Sequence, residues 1–143
     1  FTKNNLDTLY SAGINPLTSQ AYTAGVVVYG QKTLLATESS LERINVRRLL
    51  IDIRRKVKSV ANTLLFEPNR AETLGRFSRL VTPILTQVQQ LGGIERYKVQ
   101  IDTSTTTQAD IENNTIRGKI YVQPTKSIEF ISLDFNITNS GQM

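Results

Sequence analysis

Between Glu42 and Pro68 the chain reads ERINVRRLLIDIRRKVKSVANTLLFEP. Val46, Leu49, Leu50, Ile53, Val57, Val60, Ala61 and Leu64 recur there at three- and four-residue steps. That spacing puts them on one stripe of an α-helix. Arg47, Arg48, Arg54, Arg55, Lys56 and Lys58 fall mostly off the stripe. A helix patterned this way must bury one side against a core, and its remaining surface carries a dense positive field. Both requirements constrain what the rest of the chain can build.

With 143 residues and 39% apolar content, the chain is long enough for one compact domain with its own core. A net charge of +5 favours an acidic counterpart: nucleic acid, anionic lipid or an acidic protein surface. There is no cysteine and no histidine. Thiolate chemistry, a cysteine-ligated metal and the commonest neutral-pH base are therefore excluded. No apolar run is long enough to cross a bilayer, and no signal peptide opens the sequence. The only methionine is Met143, so the expectation is a domain cut from a longer protein or a processed product.

Along the chain, Asn5–Tyr10 can form one or two helical turns, stopped by Gly13 and then by Asn15-Pro16. Val26-Val27-Val28-Tyr29, between Gly25 and Gly30, predicts a short strand that is apolar on both faces and interior to a sheet. Ser39 or Ser40 can cap the helix that follows, which runs from about 42 to 66 and stops before Pro68. Asn69 to Glu72 has the form of a capping box. It opens a second helix with Leu74, Phe77, Val81, Ile84, Leu85 and Val88 on one side, a kink at Pro83, and an end at Gly92-Gly93. The period then becomes alternating: Tyr97, Val99 and Ile101 on one strand, then Ile116, Ile120 and Val122 on another, with Asp102–Asn114 a polar loop between them. Ile128 and Phe130 are in one phase and Ile131, Leu133, Phe135 and Ile137 in the other, which predicts a bulge near Phe130. The fold class this order predicts is α+β, with two main helices on one face of a mostly antiparallel or mixed sheet and an extended C-terminal strand.

Candidate chemistry is thin. Asp52, Glu67, Asp102, Asp110 and Glu112 could supply acid/base groups, but no spacing pairs two of them beside a nucleophile. Asp52 has Arg48 at i−4 and Arg55 at i+3, ordinary helix ion-pair spacing. The glycines form no phosphate-binding loop, and Asp110–Asn114 lacks the ligand periodicity of a calcium loop. Neither an enzyme nor a metal or cofactor site is expected. The basic helix could meet nucleic acid, yet no aromatic residue is interleaved with its charges between Arg43 and Lys58. An acidic protein surface accounts for the field equally well. The apolar face of the last strand either closes its own sheet or serves as an arm for another subunit.

Several motifs, in order, resemble one family. AGINP at 12–16 precedes a glycine-led strand at Gly25–Leu35. INVRRL at 44–49 and FEPN at 66–69 bracket the central helix. DIEN at 110–113, IYVQP at 120–124 and then IEFI at 128–131 close the chain. The chain is similar to the C-terminal domain of contractile bacteriophage tail sheath proteins, over nearly its whole length as one domain spanning 1–143. It differs in extending past the EFI strand through Leu133–Met143. It also lacks the N-terminal part of a full sheath subunit.

The resemblance implies a structural subunit of the virion tail, assembled in the host cytoplasm, that polymerises around a tail tube and contracts. Its implied partners are other copies of itself, the tail tube protein, and baseplate and terminator proteins. Nucleic acid, membrane and small-molecule partners are not implied. Arg47, Arg48, Arg54, Arg55 and Lys58 would then contact the tube. Ile131, Leu133, Phe135 and Ile137 would lie in an inter-subunit strand. A basic nucleic-acid-binding module is the alternative.

Overall fold

The computed structural model describes residues 1–19 and 25–126. The expected terminal strand, Ile131–Ile137 included, lies outside the described residues.

The sequence periodicity is realised as two long helices, α2 (Ile44–Thr63) and α3 (Ala71–Gln90). They pack together, and α3 packs against β3 (Ile94–Gln100), which pairs antiparallel with β4 (Lys119–Pro124). Ile53 of α2, Val81, Leu85 and Val88 of α3, and Ile94 of β3 form the buried cluster. Leu49, Val57 and Val60 extend it from α2, and Tyr97, Val99, Ile120 and Val122 extend it from the strands. The two apolar stripes and the alternating strand faces therefore meet in one core, with the helices on one side of the sheet. The α+β expectation holds. Among the described residues the β-structure is two small antiparallel sheets of two strands each.

The first of these sheets corrects the reading of the valine run. β1 (Leu17–Ser19) pairs with β2 (Val26–Val28), Leu17 opposite Val28 and Ser19 opposite Val26. Val26 and Val28 are 70% and 64% exposed, so this strand is not interior. A β-branched run fits extended backbone whether or not its faces are covered, so composition alone could not decide burial.

Local capping also differs from expectation in two places. Ser39 does cap, but it caps a short 3-10 turn at Ser40–Glu42 rather than α2 itself, its hydroxyl accepting from the Leu41 amide at 3.2 Å. The Asn69–Glu72 box is not made: the Asn69 amide donates instead to the Thr115 carbonyl at 3.0 Å. Arg70 rather than Asn69 stands at the N-cap of α3 and makes no side-chain cap bond, and the start of the helix is fastened by Thr73, whose hydroxyl donates to the Pro68 carbonyl at 2.7 Å. Pro83 sits inside α3 without ending it.

The polar loop after β3 is more ordered than its composition suggested. It holds a short helix, α4 (Gln108–Glu112), opened by a capping box in which the Thr107 hydroxyl accepts from the Asp110 amide and the Asp110 carboxylate accepts from the Thr107 amide. An acceptor three residues on is all such a box needs, and aspartate supplies it here.

Candidate functional site

The N-terminal segment fixes where α2 begins. In the last turn of helix α1 (Lys3–Ser11), the Tyr10 carbonyl accepts from Lys32 Nζ at 3.1 Å. That ammonium lies 3.9 Å from the centre of the Tyr10 ring, and Arg43 donates to the Tyr10 hydroxyl at 2.6 Å. The side chain of Asn15 pairs with Lys32 as a strand would: Nδ2 donates to the Lys32 carbonyl at 2.8 Å and Oδ1 accepts from its amide at 2.9 Å. A Cβ on Gly30 would lie 2.7 Å from that Oδ1, so the asparagine and the glycine are linked requirements. Lys32 in turn bridges to Arg43, immediately before α2. The AGINP motif thus acquires a physical role through Asn15.

On α2 itself, the buried residues Val46 and Ile53 and the half-buried Leu49, Val57 and Val60 occupy one arc. At about 100° per residue, Arg47, Arg48, Arg54, Arg55 and Lys58 fall on the opposite side. All five are exposed. Arg47 uses its Nε to donate to the Leu41 carbonyl at 2.9 Å, over the turn that precedes the helix. The side chains of Arg48, Arg54, Arg55 and Lys58 make no hydrogen bond or ion pair with any described residue. Asp52 does not pair with Arg48 or Arg55. Its ion pair is with Lys56 at 2.8 Å, one turn on, at the margin of the basic arc. Every predicted basic residue is therefore brought to one surface, and Asp52, on the same helix, pairs with a lysine outside the set. Pattern reading passed over Ile44 and Ile51, which are 38% and 57% exposed in the midst of these charges. The available signal was their seven-residue spacing off the core stripe.

The remaining acids serve local structure. Glu67 pairs with Arg76 at 2.7 Å, and Asp102 accepts from the Ser104 amide at 2.8 Å and from its hydroxyl. Those Ser104 bonds hold the Asp102 carboxyl below its ordinary range. Asp110 binds Arg117 Nε at 2.6 Å as well as Thr107. The Arg117 hydrogen bond, followed by those from Thr107, lowers its pKa to about 2. A carboxyl lowered by folding stabilises the fold above its unfolded pKa, near 4, and that contribution disappears as pH falls from about 4 to about 2. In an NMR titration the amides of Thr107 and Asp110 should therefore keep their native shifts through pH 4 and move only near pH 2. Asp110→Asn should raise amide exchange across 107–117 while leaving α2 protected.

An apolar groove of about 840 Å³ lies between the end of α2, Phe77 and the ends of β3 and β4. Its polar members are Glu67, Asn69 and Asn114, of which Glu67 is engaged with Arg76 and Asn69 with the Thr115 carbonyl. Among the described residues no three Asp, Glu, His or Cys side chains gather as a metal cluster, and no helix is long and apolar enough to cross a membrane. Among the described residues, the basic face of α2 is the surface where several charged side chains gather without partners.

Comparison with known proteins bears on what that face belongs to. The chain is 38% identical over 134 residues to the tail sheath protein of Vibrio phage KVP40. It is 37% identical over 135 residues to the tail sheath protein of Enterobacteria phage T4. Each alignment takes in 94% of this chain and 20% of the relative, so the chain spans about a fifth of the length of the curated relatives it matches. A chain in the structure of the anti-feeding prophage baseplate superposes with a TM-score of 0.84 at 26% identity, over 96% of this chain and 40% of that one. The family model for the phage tail sheath C-terminal domain matches residues 36–138, from the turn before α2 to the last apolar alternation, and the chain belongs to that family.

Proposed function

We propose that this domain is part of a structural subunit of a contractile phage tail sheath, located in the virion tail and assembled in the host cytoplasm. The subunit polymerises around the tail tube and contracts to drive the tube through the host envelope. Its partners are other copies of itself, the tail tube protein, and the baseplate and terminator proteins. The role is mechanical rather than enzymatic.

The observation that carries this reading is the basic face of α2, presented by a domain of the sheath family, with Arg48, Arg54, Arg55 and Lys58 unpaired among the described residues. Exposed ion pairs contribute roughly 0–1 kcal/mol each, so a tube contact made of them is individually weak and collectively selective. It can be released when the sheath contracts. Links between subunits, in this reading, come from strand exchange through Ile131, Leu133, Phe135 and Ile137. Negative-stain electron microscopy of the full-length protein tests the class directly. Hollow tubes or sheathed filaments are expected, and discrete particles under every assembly condition would refute the proposal.

A further inference from the structure

The exposed side of α2 is patterned, not merely charged. Ile44, Ile51 and Lys58 stand seven residues apart, so on a helix they form one nearly straight line. Arg47 and Arg54 flank that line on one side, and Arg48 and Arg55 on the other. The unit Ile-x-x-Arg-Arg-x-x occurs twice in succession and is followed by Lys58. Ile51 is 57% exposed at the centre of the four arginines. It contributes nothing to the core described above. A β-branched residue is also a poorer choice there than lysine or glutamate for holding a solvated helix.

Resting on the reading that this face meets the tail tube, we infer that Ile51 is the apolar anchor of the contact and the arginine rows are its rim. The counter-surface is then a protein surface with an apolar recess between two rows of carboxylates. Those carboxylates repeat at about 10.5 Å, the rise of seven helical residues. Interfaces concentrate affinity in a desolvated apolar centre and leave charge at the edge, where it sets orientation and encounter rate. A nucleic-acid backbone does not fit this face as well. Its phosphates would meet an isoleucine at the midpoint of the helix, and no aromatic side chain offers a base a stacking surface.

The test measures binding of the full-length subunit to purified tail tubes across a salt series. Ile51→Ser should weaken binding about tenfold and leave its salt dependence unchanged, because it removes apolar burial only. Ile51→Leu should restore most of the loss. Arg54→Gln should weaken binding and also flatten the salt dependence. Both positions are exposed, so thermal midpoints should stay near that of the unaltered protein. Wild-type binding by Ile51→Ser, with loss on combined reversal of Arg47, Arg54 and Lys58, would overturn the anchor and leave the tube contact standing. Wild-type binding by both variants would overturn the tube contact itself. Displacement of the tubes by duplex DNA at equal charge would also overturn the anchor, by showing that the face reads charge alone.

Discussion

Reversing Arg47, Arg54 and Lys58 to glutamate is expected to abolish assembly on tail tubes while leaving the domain folded. Each reversal changes the charge by two, so three take this chain from +5 to −1. The three side chains are exposed, and the only bond lost within the described residues is that of Arg47 to the Leu41 carbonyl. The core of Ile53, Val81, Leu85, Val88 and Ile94 is untouched. Exposed attractive pairs are worth roughly 0–1 kcal/mol apiece, and converting three to repulsions costs on the order of 1–3 kcal/mol per subunit. That is about five- to 150-fold in one contact, repeated around every turn of a polymer. Raising salt should mimic the effect in the unaltered protein, since screening at 0.1 M acts over about 10 Å. Sedimentation with tubes is the measurement. Unchanged co-sedimentation would remove the basic face from the contact.

The second large effect is expected from truncation. Deleting Leu133–Met143 should abolish polymerisation and leave the far-ultraviolet circular dichroism and thermal midpoint of the domain nearly unchanged. The buried cluster and the residues packed on it lie between Leu49 and Val122, so the fold draws its core from elsewhere. An alternating segment with apolar Leu133, Phe135 and Ile137 is suited to adding to a neighbour's sheet, where backbone hydrogen bonds supply affinity. A truncated subunit that still forms sheaths would show that the links are made by other surfaces.

How far the fold was legible follows from which signals are local. The two helices were readable because a stripe of eight apolar residues on the first and six on the second leaves little choice of period. Pro68 and Gly92-Gly93 marked their ends to within a few residues of Thr63 and Gln90. Burial of the valine strand was not readable, because it depends on what lies across β2 rather than on Val26-Val27-Val28. The capping box at Asn69 failed for a similar reason. The Asn69 side chain is held by the Thr115 carbonyl, 46 residues away, with Arg70 at the N-cap position, and no short-range pattern announces that contact. Helix α4 was hidden in a run of threonines and acids, where one Thr107–Asp110 box decides order.

At the candidate site the five cations were legible as a set, and the structure keeps them together. The partner of Asp52 was not, since Arg48, Arg55 and Lys56 all stand at helical pairing distance and rotamer choice selects Lys56. Ile44 and Ile51 were obscured by the stronger apolar stripe beside them. Exposure is what separates them from the residues that hold the core.

The most direct test of the account uses the absence of cysteine from this chain. In a full-length subunit free of other cysteines, Asn62→Cys places a thiol on the exposed side of α2, one turn beyond Lys58. Lys98→Cys places one on exposed β3 as a control. A short thiol-to-amine cross-linker applied to assembled, extended tails should join the α2 thiol to the tube protein and leave the β3 thiol unlinked to it. Cross-links from α2 only to neighbouring sheath copies, or to the tube only from β3, would contradict the assignment of the basic face to the tube.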